Sequence, residues 1–336
     1  MTSLIVVHPD FDGIWPFAAD HLHALWRAQG TVELVRLARG DRRPVGELAA
    51  APEQVTRLVA LGVPLTAACL DRMPRLREAA VEGGYGPLPG AAELLAARGV
   101  RAYTQPSEGF WGQSVAEFAL ALTLCGLRRI PQLHHAILTS HAPWDYSAPG
   151  GVGRPGARGE QFGDDPRFAN GTIAGKRVRV VGAGNIGSRY ASFTRMLGAD
   201  VAAWDPYAPE PCFHRAGARR EWRLERLVRD AEIFAPMLPL TDATRGLVTA
   251  EHIRALPQGC LVILATRAAI CDVAALRARV LADELALAAD VFDIEPLPLD
   301  DPLLGRENVV HTPHNAGRTR HANEQWAEAL AAQFEG

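Results

Sequence analysis

The stretch VVGAGNIGSRY, Val180 to Tyr190, decides how the chain is read. Its three glycines, Gly182, Gly184 and Gly187, follow the apolar run VRVV and open the segment NIGSRYASFTRMLG, whose pattern is helical. A second apolar run, DVAAWD, then ends in Asp205. Strand, turn, helix, strand and acid in that order give each residue a mechanical task. Gly182 permits the tight turn. Gly184 lets the backbone approach a pyrophosphate. Gly187 lets helix and strand pack closely. The helix start, at Asn185 and Ile186, offers N–H groups to an anion. Asp205 can accept hydrogen bonds from ribose hydroxyls; its plainer reading is a turn residue before Pro206. A carboxylate there repels a 2′-phosphate, and Pro206, Tyr207 and Ala208 supply no Arg to neutralise one. The reading is therefore a dinucleotide site for NAD rather than NADP.

The alternation extends outward from this point. RVRVVG, DVAAWD, EIFAP, CLVILA, LALAADV and NVVHTP read as strands with helical stretches between most of them, which fits a doubly wound parallel sheet. Towards the N-terminus, SLIVVHP, TVELVRL and VRAYTQ read as strands and WPFAADHLHALWRAQG as a helix closing on Gly30. QVTRLVALG and AAELLAARGV read as further helical turns. Residues 1 to about 103 thus form an α/β layer of their own. SVAEFALALTLCGLRRIPQLHHAI, Ser114 to Ile137, reads as a long helix that Pro131 kinks or breaks. Its apolar centre, Phe118 to Leu127, is too short to span a bilayer and reads as buried. APGGVGRPGARGEQFGDD, Ala148 to Asp165, reads as a surface excursion at a domain edge.

Bulk composition narrows the function classes. A chain of 336 residues with 48% apolar residues can fill more than one core. A formal net charge of −3 argues against a nucleic-acid footprint. Five cysteines, an odd number with no C-x-x-C pair, argue against a disulfide framework or a thiolate zinc site. His21 and His23, and His134 with His135, lack nearby ligand partners, so no metal is expected. The start, MTSLIVVHPDF, has no basic region before its short apolar run, and a reducing, cytoplasmic setting is expected.

Ligands of open α/β sheets lie beyond the carboxyl ends of the strands. Just past the later strands stand Arg267, Asp290 with Glu295, and His314. An Arg can hold a carboxylate through a bidentate pair and polarise the adjacent carbonyl. A His can give or take a hydroxyl proton, and a Glu beside it favours its protonated form. Each has a plainer reading, as a turn or surface residue, and His311 is available by type. EGFWGQ, Glu108 to Gln113, lies near where a pocket would be walled, although Trp111 reads first as packing.

With these segments in view, the sequence resembles the D-isomer-specific 2-hydroxyacid dehydrogenases. The resemblance is carried by GTIAGKRVRVVGAGNIG, LPLTDATRGLV, TRAAICDVAAL, AADVFDIEPLP and TPHNAG, and is strongest from Ser114 to Gly317. It implies a two-domain α/β protein. A Rossmann NAD-binding domain would span residues 104–317. A smaller flavodoxin-like substrate domain would span residues 1–103, completed by a C-terminal helix over 318–336. It also implies that Arg267 binds substrate, that His314 is the acid/base paired with Glu295, and that Asp290 faces the nicotinamide amide. Pro239 joins the cofactor residues, and Gly84, Tyr85 and Gly86 of GGYG form a substrate-carboxylate loop. The long helix would lie at a two-fold contact, so a homodimer acting on a small anionic substrate is expected, with no nucleic acid or membrane partner.

The sequence departs from that family's pattern at Pro87, Leu88 and Pro89, at Leu264, Ala265 and Thr266, at Ala268 and Ala269, and at Met237 and Phe118. None of these removes a proton-transfer group; they touch pocket walls and cofactor contacts. The expected chemistry is hydride transfer between NAD(H) and a small 2-keto or 2-hydroxy acid. Alternatives are oxidation of another small anion such as phosphite, or a non-catalytic NAD-sensing protein. Formate as substrate is disfavoured by Glu295, where relatives acting on it carry Gln.

Overall fold

A short run of buried aliphatic residues sets the first strand, and alternate residues serve opposite faces. In β1 (Thr2–Val7), Leu4 and Val6 enter one core while Ile5 and Val7 enter another. Both faces are covered, as a parallel sheet requires, so its strands read as continuous apolar runs. The structure is a computed structural model and describes residues 2–105, 110–144 and 164–334. The chain divides into two units, Met1–Trp111 with Arg318–Gly336, and Gly112–Gly317. The division falls after Trp111 rather than after residue 103 because Phe110 and Trp111 pack on the first unit's core.

In the first unit, β1 is followed by α1 (Pro9–Asp12), α2 (Ala18–Arg27), β2 (Thr31–Arg36) and β3 (Arg57–Leu61). Then come α3 (Ala67–Arg72), β4 (Glu78–Gly83), β5 (Gly86–Pro87), α4 (Ala91–Ala97) and β6 (Arg101–Tyr103). The sheet runs β2-β1-β3-β4-β5, with β6 also pairing β4. Among the described residues only β5 is antiparallel to its neighbour. QVTRLVALG is not helical: its centre is β3, buried at every position between β1 and β4. A short apolar run does not reveal its period, and burial on both faces removed the alternation that marks a strand.

The long helical segment is two helices. α5 (Phe110–Arg128) stops at Arg129, whose φ is 53°, and α6 (Ile130–Ile137) begins there with Pro131 in its first turn. Proline lacks an N–H, and its ring would clash with the carbonyl four residues back, so one continuous helix is excluded. At 19 residues, α5 exceeds the run from Phe118 to Leu127 and is, by length and composition alone, long and apolar enough to cross a membrane. It buries Val115, Ala119, Leu122 and Leu127, and the Thr123 and Tyr190 hydroxyls share a 2.8 Å hydrogen bond. Most of the expected loop from Ala148 to Asp165, and Glu108 and Gly109 of EGFWGQ, lie outside the described residues.

The second unit continues with β7 (Arg177–Val181), α7 (Asn185–Met196), β8 (Asp200–Trp204), α8 (Glu210–Ala216), β9 (Arg219–Arg220) and α9 (Leu224–Leu227). β10 (Ile233–Pro236), α10 (Ala250–Ala255), β11 (Leu261–Leu264), α11 (Val273–Leu281), β12 (Ala286–Ala289) and β13 (Val309–His311) complete it. The seven strands, all parallel, run β13-β12-β11-β10-β7-β8-β9. All six strands expected here are present; β9, two residues long, is an addition. Finally α12 (Arg320–Ala331), capped by Thr319, returns to the first unit and buries Trp326, Ala327 and Leu330 in its core.

Candidate active site

Each candidate residue of the second unit follows the carboxyl end of a strand. The strand order reverses direction at β7 and β10, the place where such sheets bind ligands. After β7, Gly182 adopts a φ of 98° and its N–H donates to the Trp204 carbonyl at 2.8 Å. A Cβ on Gly187 would lie 2.0 Å from the Gly182 carbonyl oxygen, so helix and turn touch through backbone alone. A Cβ on Gly184 would meet nothing within 4 Å. That open side of the α7 N-terminus is room for a pyrophosphate, and the free N–H groups of the first turn suit its charge. Asn185 and Ile186 form that turn, and the Asn185 carbonyl accepts from Arg189 at 2.8 Å. Pro239, exposed after β10, accepts the Thr244 hydroxyl on its carbonyl at 2.6 Å.

Asp205 is drawn into the same loop. Its Oδ2 accepts the Ala183 N–H at 2.8 Å, and its Oδ1 accepts those of Tyr207 and Ala208, both at 2.9 Å. The carboxylate is thereby fixed with acceptor capacity remaining for a ribose hydroxyl. Sequence reasoning found no Arg here, yet the fold supplies one. Arg220, at the end of β9, donates to the Asp205 carbonyl at 3.4 Å and lies over the Trp222 ring at 4.0 Å. A two-residue strand gives too little pattern to be anticipated.

The proton-transfer pair is formed. His314 Nδ1 and Glu295 Oε2 are 2.7 Å apart, both side chains about one-third exposed at 36% and 35%. Glu295 Oε1 also accepts the Phe292 N–H at 2.8 Å. Burial pushes the Glu295 carboxyl up, but the His314 and Phe292 hydrogen bonds and the charge of Arg267 outweigh it and hold the group below its usual range. Arg267 is half-buried, its Nη1 donating to the Thr266 carbonyl at 2.7 Å. His311 is exposed at the end of β13.

Asp290 is fully buried and bonds to the loop that carries His314. Its Oδ1 accepts the Thr312 hydroxyl at 2.6 Å and the Asn315 N–H at 3.1 Å; its Oδ2 accepts the Ala316 N–H at 2.9 Å. His314 has a φ of 54°, a left-handed conformation that costs a non-glycine residue about 1 kcal/mol or more. Three bonds to one buried carboxylate, from residues on either side, hold it there. Thr312 and Asn315 were not singled out in the sequence, because their role depends on Asp290 reaching across from β12.

In the first unit, Gly83 and Gly86 pair across an antiparallel turn whose tip is Gly84 and Tyr85. Gly86 has a φ of 143°. The Trp15 indole N–H donates to the Gly84 carbonyl at 2.9 Å. In a trans peptide the N–H opposes the C=O, so the Tyr85 N–H points away from that indole.

A chain with a parallel NAD-type sheet and an Arg, Glu and His beyond its strands is a nucleotide-linked α/β protein. Residues 154–316 match the model described as D-isomer specific 2-hydroxyacid dehydrogenase, NAD binding domain. The D-3-phosphoglycerate dehydrogenase of Mycobacterium tuberculosis is 32% identical over 279 residues, 83% of this chain and 48% of that protein. The glyoxylate reductase of Aeropyrum pernix is 29% identical over 266 residues, 78% of this chain and 73% of that protein. Among solved structures, a Salmonella D-lactate dehydrogenase superposes with a TM-score of 0.67 at 18% identity, covering 99% of this chain and 96% of that one. The chain belongs to the D-isomer-specific 2-hydroxyacid dehydrogenase family, and its cofactor is NAD. It spans about half the length of the mycobacterial relative, 48%.

Proposed function

We propose that this chain transfers a hydride between NAD(H) and C2 of a 2-keto or 2-hydroxy acid. The observation that carries the reading is the 2.7 Å contact between His314 Nδ1 and Glu295 Oε2. With Nδ1 engaged, Nε2 is the atom that carries the transferable proton. In the reductive direction the bound cofactor supplies the hydride. His314 delivers its Nε2 proton to the carbonyl oxygen, and the Glu295 carboxylate stabilises the ring while it is charged. Arg267 grips the substrate carboxylate through its planar fork and stabilises negative charge developing on the oxygen. Asp290 acts one step back, by holding the His314 loop. Gly84, Tyr85 and Gly86 take the substrate carboxylate through backbone N–H groups.

The test is NADH oxidation by the purified chain with a panel of 2-keto acids. His314→Ala should lower kcat/KM by about a hundredfold or more with little change in NADH affinity. A near-wild-type rate would move the proton donor elsewhere, with His311 next to be tested.

The reading includes a homodimer in a cytoplasmic setting. The five cysteines are unpaired, as a reducing compartment favours. Phe118, Leu120 and Leu124 of α5 are only partly buried, and Ile130, Ile137 and Leu138 of and after α6 are exposed. An apolar surface of this kind is commonly covered by a second copy. Sedimentation should give a dimer at micromolar concentration; a monomer would count against the assembly.

A further inference from the structure

The first unit carries a line of aromatic rings that ends at the turn assigned to the substrate carboxylate. It begins in the core, where Phe11 meets Trp326 edge-on at 5.2 Å. Trp326 lies 5.7 Å from Trp15, and Trp15 stacks on Trp111 at 4.5 Å with the rings 9° from parallel. Tyr85, at the tip of the turn, lies 5.8 Å from Trp111. Burial falls along the line: Trp15 and Trp326 are each 3% exposed, whereas Tyr85 is 70% exposed. The line is anchored to the turn, because the Trp15 N–H holds the Gly84 carbonyl at 2.9 Å.

Two features follow from this arrangement. The end of the line is the exposed Tyr85 ring beside the turn, tilted 54° against Trp111, which in turn stacks on the buried Trp15. The segments that build it, GGYGPLPG from Gly83 to Gly90 and IWPFAA from Ile14 to Ala19, contain no charged residue. A phosphate-bearing substrate requires cations or a fork of N–H donors at the far end from its carboxylate. Aromatic side chains offer none; they gain from apolar area and ring-on-ring contact.

We propose that the substrate is a 2-keto acid with an aromatic or bulky apolar side chain, which packs on the Tyr85–Trp111 face while its carboxylate sits on the turn. The proposal rests on the reading of residues 84–86 as the carboxylate turn, and it makes Tyr85 and Trp111 specificity residues.

The experiment compares kcat/KM of the full chain with NADH and phenylpyruvate, pyruvate, glyoxylate and phosphohydroxypyruvate. The expected result is a preference of about tenfold or more for phenylpyruvate over each of the others, the scale at which pocket contacts discriminate. Tyr85→Ala, at an exposed position, should cut the phenylpyruvate-to-pyruvate ratio by about fivefold or more, chiefly through KM. Trp111→Leu should act in the same direction. Preference for phosphohydroxypyruvate or glyoxylate overturns the proposal, as does an unchanged ratio in Tyr85→Ala. Gly86→Ala separates this from the underlying reading. Its φ of 143° strains any side chain, so the turn must distort. If KM then rises for every keto acid, the turn binds carboxylate whatever the side-chain preference. If KM is unmoved for all, the turn reading falls and the proposal with it.

Discussion

Gly187 and Gly84 would each set a new methyl group about 2 Å from another atom, 2.0 Å in one case and 2.1 Å in the other. The two clashes are unlike. Gly187 would strike the carbonyl oxygen of Gly182, and a backbone atom in a packed strand–turn–helix unit cannot retreat alone. Gly84 would strike Cδ1 of Ile14, the free end of a flexible side chain. One glycine is required by two pieces of main chain in contact. The other is required only by the present rotamer of a neighbour. The cofactor turn is thus fixed by backbone, while the turn of the first unit is open to adjustment through side chains, as a substrate-selecting element can be.

Three substitutions probe that difference. Gly187→Ala should have the largest effect: loss of measurable NADH binding in titration calorimetry, with a lowered Tm. Retained affinity would show that turn and helix can separate. Glu82, directly before the turn of the first unit, comes next. It is 1% exposed, its Oε1 accepts the Gln105 N–H at 2.8 Å, and its Oε2 has no hydrogen-bond partner among the described residues. Burial pushes its carboxyl up to about 7, against the opposing pull of that hydrogen bond. The folded form therefore holds a proton that the unfolded chain releases near the ordinary carboxylate range. Its stabilising contribution is complete below about pH 4.5 and is lost as pH rises towards 7, a change of up to about 3 kcal/mol. Glu82→Gln should flatten this dependence in urea unfolding between pH 5 and pH 8; an unchanged slope would place the titration elsewhere. Gly84→Ala should be mildest, a change of a few-fold in KM for keto acids with Tm nearly unchanged, because Ile14 can rotate. A collapse in Tm there would erase the contrast with Gly187.

The same contrast explains what was legible in the sequence. The glycine turn, Asp205 and the six longer strands of the second unit were readable because each is set by neighbours in the chain: a run, a turn, a helix start. β3 was misread because both of its faces are buried, which removes periodicity. The Asp290 bonds to residues 312–316 and the approach of Arg220 to Asp205 were not readable, since each joins separate strands. His314 and Glu295 were legible by type and position, but the left-handed backbone of His314 was not, because no glycine or asparagine marks it. Trp111 was read first as packing; the structure gives it that role against Trp15 and, in addition, a neighbour in the turn, Tyr85.

Helix α12 has a consequence for the order in which the protein is made. Phe334 meets Trp26 at 5.1 Å and Tyr103 at 4.6 Å, and Trp326 meets Phe11 and Trp15. Four of these six aromatic residues therefore lie before residue 112 and two only after residue 317. On the ribosome these four emerge without Trp326 and Phe334 to cover Trp15 and Trp26, and the whole intervening unit is synthesised before those partners appear. The intervening unit is continuous in sequence and needs nothing from α12 to close its own sheet. The aromatic core of the first unit is thus complete only once residues 318–334 follow the intervening unit, and until then its tryptophans are exposed to chaperones and proteases.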